Sequence, residues 1–344
     1  IGGISTIFLF PSILGKTYYG LSNYILSCAN VIMPLFAIGM QNSLVKFYSQ
    51  CKTDKEQNQF LSFSVIFPLV FTIPILLLGL FFYDEISFFV TKKNPIVKEF
   101  IYLIPFIGLC MAYFEIFYAW ARVHMHSVFG NFIKEVGLRL FSLVALVGMY
   151  FGWITAVEFV YLTAGIYFFA LLITMLYAFR VKKPDFQLSL PHNVKGILEY
   201  TFYIILSGSV ANLLLDGDKI MLNQYMDISN IAFYSVATYI ALVISVPSRA
   251  MHQIVYPITA KLMHDNKHDE LNDLYKKTSI NLQIVGGFVM LCIFVNINQL
   301  YDMLPKEYAG GIWIVFIIGI SKYFDLILGN NNAIIFNSKY YRMV

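Results

Sequence analysis

The sequence predicts an all-α, polytopic membrane protein, and three observations predict it. Of the 344 residues, 58% are hydrophobic and only 13% charged, against about 25% charged in an ordinary soluble domain, so the chain cannot coat a water-soluble globule. Apolar runs near the length that crosses about 30 Å of hydrocarbon recur from end to end. Short polar connections separate them, and alternate connections differ in charge.

The chain opens at Ile1 inside an apolar stretch that reaches only Ile13, so a partial helix is expected over 1–13. Full spans are expected over 20–46, 60–82, 98–121, 127–150, 153–179, 197–222, 229–257, 279–299 and 309–329, which with the partial helix makes about ten crossings. Basic residues group in alternate connections: Lys46, Lys52 and Lys55; Arg122, Lys134 and Arg139; Arg180, Lys182, Lys183 and Lys195; Lys261, Lys267, Lys276 and Lys277; Lys339 and Arg342. That set is expected to face the cytoplasm. The other set holds Lys16, Lys92, Lys93, Lys98 and Lys306, thinned by Asp227, Asp302 and Glu307. The chain stops just after Asn-Asn-Asn-Ala, and both ends read as cuts in a longer protein.

Pro34, Pro68, Pro74, Pro105, Pro247 and Pro257, with Gly208 and Gly217 and the pair Gly286 and Gly287, fall inside the expected spans. Each carbonyl freed by a break must find another donor, so repeated breaks suit helices that bend around a cavity. A weak internal repeat is visible. Tyr19-Gly20-Leu21-Ser22-Asn23-Tyr24 opens one span and Ile231-Ala232-Phe233-Tyr234-Ser235-Val236 opens another, about 212 residues on, which predicts two six-helix halves related by an axis along the membrane normal. The expected lobes are 1–183 and 184–344, the second incomplete.

An ionised side chain at mid-bilayer costs on the order of 3 kcal/mol, so membrane charges face protein or water. Leu213 to Leu222 holds Asp216, Asp218 and Lys219 in an apolar run. Asp216 and Lys219 share a helix face where an ion pair lowers the insertion cost, and Asp218 points away. The cluster either snorkels to the interface or lines a cavity. Arg249 follows Pro247, with His252 three residues further on the same face. Its planar fork suits phosphate oxygens, although an interfacial arginine that sets topology fits the position as well. Gln41, Asn42 and Lys46 make a second polar wall. Glu115 is a candidate for ion or proton coupling or for a structural pair, with Arg122 on roughly the same face; Glu158 and Asp325 are weaker candidates of the same kind.

His124 with His126, and His264 with His268, imitate metal spacing, but both pairs sit in solvated turns and no metal is expected. The four cysteines have no paired or metal-type spacing. There is no P-loop, no GxSxG and no glycine-rich phosphate turn, so neither an enzyme nor a bound cofactor is expected. Basic residues form no tract, which argues against nucleic acid.

The stretches Leu14 to Tyr24 and Gly39-Met40-Gln41-Asn42-Ser43-Leu44-Val45-Lys46-Phe47-Tyr48-Ser49, then Leu215 to Leu222, Ile231 to Val236 and Tyr256-Pro257, resemble the polysaccharide biosynthesis flippases. These are the Wzx-type branch of the superfamily that also holds the lipid II flippases and the multidrug and toxic compound extrusion (MATE) transporters. The resemblance covers essentially the whole chain. It implies a two-lobed, MATE-like helical bundle of about twelve to fourteen helices with alternating access, here truncated. It further implies a multi-pass protein of the bacterial cytoplasmic membrane that moves an undecaprenyl-pyrophosphate-linked oligosaccharide for O-antigen or capsule synthesis, as a monomer working beside the polymerase machinery. Substrate contacts would fall to Arg249, Lys46, Lys219, His252, Gln41 and Asn42. Coupling of a cation or proton would fall to Glu115, Asp216 and Asp218. A cation-coupled multidrug antiporter shares the architecture but should prefer acidic cavity walls. A membrane polymerase or acyltransferase should carry catalytic residues on a large outer loop, which this chain lacks.

Overall fold

The computed structural model describes residues 3, 5–183, 185, 190, 191, 193–265 and 267–337. Among them the regular structure is helical throughout, and eight helical runs are long and apolar enough to cross a membrane. Lys339 and Arg342 lie outside the described residues. The chain divides into two compact units, one of Ile13–Ala232 and one of Gly3–Ser12 with the chain from Phe233 onward.

In the larger unit, α1 (Phe10–Ala37) continues a π-helical turn, Ser5–Leu9, and is broken at Gly15 (φ 72°, ψ 162°). That break falls in the gap expected between the partial helix and the next span. The expected span 20–46 is itself interrupted. Ile38 and Gly39 take positive φ (47° and 61°) before α2 (Met40–Phe47) resumes. A Cβ on Gly39 would also lie 3.0 Å from Ile204 Cγ2, so conformation and space both call for glycine there.

Next come α3 (Asp54–Phe81), α4 (Tyr83–Thr91), α5 (Leu103–Val123), α6 (Ser127–Phe132), a π-helical turn Ile133–Gly137, α7 (Leu138–Tyr150), α8 (Ala156–Val181) and α9 (Val194–Tyr225). Thr53 with Glu56 and Thr155 with Glu158 form capping boxes that start α3 and α8. Glu158, weighed above for coupling, is thereby a helix cap. The expected breaks at Gly208 and Gly217 are absent, since α9 runs through both.

Leu21, Tyr24 and Ile25 of α1 pack on Phe100, Ile104, Val160, Ile228 and Ile231. A Cβ on Gly20 would lie 2.1 Å from the Ile228 carbonyl oxygen and 3.4 Å from the Ala232 nitrogen. Gly20 in the first repeat segment therefore faces backbone at Ile228 and Ala232, just before and at the start of the second. A second cluster joins Met40 and Leu44 to Phe60, Tyr113, Phe117 and Trp120.

The smaller unit takes α10 (Ser229–Leu242) from Phe233 on, then α11 (Val246–His264), α12 (His268–Val295), α13 (Ile297–Asp302), α14 (Ile312–Ile327) and α15 (Asn331–Asn337). Pro247 was expected to bend the middle of one long span. Instead a 3₁₀ turn, Val243–Ser245, ends α10, and Pro247 sits at the start of α11, where its missing N–H has no intrahelical partner to lose. Gly286 and Gly287 were expected to break their span, yet α12 is continuous through them. Gly286 is a contact glycine, since a Cβ there would meet Leu326 Cδ1 at 2.0 Å inside the cluster of Ile244, Leu282 and Leu326.

Candidate functional site

In α9, Asp216 and Lys219 stand one turn apart and form an ion pair of 2.9 Å, with side chains 14% and 12% exposed. At that burial a carboxylate needs more than one partner. Ser27 Oγ donates to Asp216 Oδ1 at 2.8 Å, and Asn30 Nδ2 donates to Oδ2 at 3.2 Å. Asp216 thus ties α9 to α1. Asp218 is exposed.

The same junction satisfies a helix break. Pro34 lies inside α1 and has no N–H to give to the carbonyl of Asn30, four residues earlier. Asn212 Nδ2 donates to that Asn30 carbonyl at 2.7 Å. A polar residue on a neighbouring helix thereby re-satisfies backbone that the proline freed, as membrane burial requires. Ser27, Asn30 and Asn212 were not singled out from the sequence. The spacing of Asn30 four residues before Pro34 is the signal that could have found them.

Glu115 in α5 accepts from Lys134 Nζ at 2.5 Å, and its carboxylate is 19% exposed. Arg122, expected on roughly the same face, lies over the Tyr118 ring of that face, 5.4 Å from guanidinium carbon to centroid. Lys134 sits on the π-helical turn with Glu135, which pairs with Arg139 at 3.5 Å. These four charges line a cavity of about 280 Å³ together with Asn30 and Tyr167. Lys134 and Arg139, counted with the basic cytoplasmic side although they fall inside the expected span 127–150, sit in helical segments and on a cavity wall.

Lys46 is exposed, with its ammonium 3.8 Å from the centroid of Tyr200, a cation–π contact that holds it over the start of α9. Gln41 and Asn42 are half-buried in the first turn of α2, and Gln41 Oε1 is buried without a hydrogen-bond partner among the described residues. In the smaller unit, Arg249 is exposed in the first turn of α11. His252 is half-buried against Tyr256, ring centroids 5.5 Å apart, and its Nδ1 is buried without a partner among the described residues. Asp325, the last of the coupling candidates, pairs with Lys322 at 3.2 Å.

His124, one of the four histidines with metal-like spacing, belongs to a hydrogen-bond chain. Its Nδ1 is 2.8 Å from the Trp120 carbonyl and its Nε2 is 2.8 Å from the Tyr48 hydroxyl. That hydroxyl is also 3.0 Å from Gln57 Oε1, to which Lys182 donates at 2.8 Å. Burial lowers the His124 pKa below its ordinary 6.5, and nearby Lys182 and His126 push the same way against the opposing Trp120 carbonyl. Burial pushes the Tyr48 hydroxyl up to about 12. The side chain of His264 lies outside the described residues.

A search of solved structures finds a multidrug resistance MATE family transporter of the MOP superfamily, in an inward-facing conformation. The TM-score is 0.70 at 14% identity, over 97% of this chain and 82% of the other. At that identity the likeness establishes the fold, a MATE-like bundle of membrane helices. No curated protein matches the sequence. A family model described as polysaccharide biosynthesis protein matches residues 3–263. That match spans most of the chain, and the protein belongs to this polysaccharide biosynthesis family of multi-pass membrane proteins.

Proposed function

We propose that the protein is a flippase that carries an undecaprenyl-pyrophosphate-linked oligosaccharide across the bacterial cytoplasmic membrane by alternating access of two lobes, 1–183 and 184–344. The family match and the MATE-like fold support the reading. The observation that carries it is the buried Asp216 and Lys219 pair, held by Ser27 and Asn30 inside an apolar run. A lipid pyrophosphate is too polar to cross hydrocarbon unaided, while its polyprenyl tail can stay in lipid.

In this reading Lys219, Lys46 and Arg249 meet the phosphates, while Gln41, Asn42 and His252 serve sugar hydroxyls. The buried atoms on Gln41 and His252 that find no partner among the described residues suit that role, since buried polar atoms rarely stay unpartnered. Asp216, with Glu115 and Asp218, takes the coupling proton or cation. A proton on Asp216 would cancel its charge and release Lys219 toward an anion. The protein works as a monomer beside the polymerase machinery. A second reading, a cation-coupled multidrug antiporter, is favoured by the fold shared with a multidrug resistance MATE family transporter. Restoration of surface polysaccharide by the gene for this protein in a flippase-null bacterium tests the first reading. Absence of rescue together with gained drug resistance would favour the second.

A further inference from the structure

We propose that the cavity where the C-terminal ends of α2 and α5 meet the first turn of α3 binds the phosphate head group of an anionic phospholipid, with Arg122 as its ligand. The inference goes beyond the flippase reading and uses none of the residues that reading assigns. The cavity measures about 390 Å³, within the range of small-ligand pockets. Val45 of α2, Tyr48 and Ser49 of the 3₁₀ turn Tyr48–Gln50, Gln57 of α3, and Arg122 and Met125 line it. The basic connections put this end of the helices on the expected cytoplasmic side, where anionic head groups gather at the membrane surface.

Among the described residues, Arg122 carries the only formal charge on the wall. Lys182 stands behind Gln57 and donates to it, but is also paired with Asp54 at 3.4 Å. Arg122 is half-buried, and among the described residues it has no ion pair. Its Nε is buried there without a hydrogen-bond partner. The Tyr118 ring, 5.4 Å away, holds the guanidinium in place but offers no oxygen to its N–H donors. A planar fork with its donors free is the group that pairs bidentately with phosphate oxygens. The Tyr48 proton is already directed at His124 or Gln57, so the hydroxyl on offer is that of Ser49, which is exposed. The remaining wall favours a lipid over a free anion. Val45 and Met125 are 44% and 92% exposed, and apolar surface beside a cation at a membrane boundary matches an anionic amphiphile, whose acyl and glycerol carbons cover the one while its phosphate meets the other.

The test uses the full chain in detergent, with short-chain phosphatidylglycerol, short-chain phosphatidylcholine and inorganic phosphate as probes, and native mass spectrometry to follow the tightest bound molecule through a titration. Phosphatidylglycerol should bind more tightly than inorganic phosphate, and more tightly than phosphatidylcholine, whose own cation opposes Arg122. Arg122→Gln should weaken phosphatidylglycerol about tenfold. Arg122→Lys, which keeps the charge without the fork, should fall between the two. Met125→Ser changes an exposed side chain and should leave the fold intact; it should weaken phosphatidylglycerol and leave inorganic phosphate unchanged, a selectivity that misfolding does not produce. Inorganic phosphate bound as tightly as the lipid would overturn the lipid assignment. Phosphatidylglycerol bound equally by the native chain, Arg122→Gln and Met125→Ser would overturn the site itself.

Discussion

Asn30 connects the two polar features of the larger unit: its side-chain amide donates to Asp216 at 3.2 Å, and the residue also lines the cavity that holds Glu115 and Lys134. Its carbonyl, freed by Pro34, is taken by Asn212. One residue thus meets a helix break, a buried carboxylate and a charged cavity.

Asp216→Asn should keep hydrogen-bond partners for Ser27 but leave the Lys219 ammonium without a counter-charge. Removing one partner of a buried pair costs about 3 kcal/mol. Thermal unfolding in detergent should show that loss, and Asp216→Asn with Lys219→Met should lose less than the sum of the two single changes. Strict additivity would mean the pair is not coupled.

Gly20→Ala and Gly130→Ala separate two kinds of close approach. The Gly20 Cβ would meet the Ile228 carbonyl at 2.1 Å, which is backbone, whereas the Gly130 Cβ would meet Tyr118 Cδ2 at 2.2 Å, on a ring that can turn. Overpacking costs about 1–3 kcal/mol, and Gly20→Ala should fall at or above the top of that range and Gly130→Ala near its bottom. Melting temperatures of the two variants check the order.

Asn94 pins the link between α9 and α10. Its side chain donates to Asn223 and to the Met226 carbonyl at 2.9 Å, and it accepts from the Ile228 N–H at 2.8 Å. Asn94→Ala leaves buried backbone groups unpaired, at about 1–3 kcal/mol. Amide exchange at Ile228 should quicken in the variant, while exchange in α12 should not.

His124 gives the fold a pH dependence of defined sign. A carbonyl only accepts, so Nδ1 carries a proton, and in the neutral ring Nε2 accepts from Tyr48. Protonation makes Nε2 a donor and turns the Tyr48 hydroxyl toward Gln57. Because the folded pKa lies below 6.5, the stability contribution is complete above that pH and is lost as pH falls through the folded value. The melting temperature should drop on acidification, and His124→Gln should flatten that part of the profile.

Apolar runs and basic connections made the helical membrane fold legible, because lipid demands both regardless of tertiary detail. The Asp216 and Lys219 pair was equally legible, since spacing along one helix determines it. Ser27 and Asn30 were not, because 189 and 186 residues, more than half of the chain, separate them from Asp216. Glu115 was left between ion coupling and a structural pair, because periodicity along one helix cannot show that Lys134 on a neighbouring segment reaches its carboxylate. Pro247 and the Gly286 and Gly287 pair were read as breakers. Their roles, starting a helix and admitting Leu326, depend on what surrounds them.

Export of a lipid-linked oligosaccharide is checked by complementing a flippase-null bacterium with the gene for this protein and counting lipid-linked repeat units on the cytoplasmic side. These units should cease to accumulate with the native gene and accumulate again with Asp216→Asn. Continued accumulation with the native protein present in the membrane would contradict it.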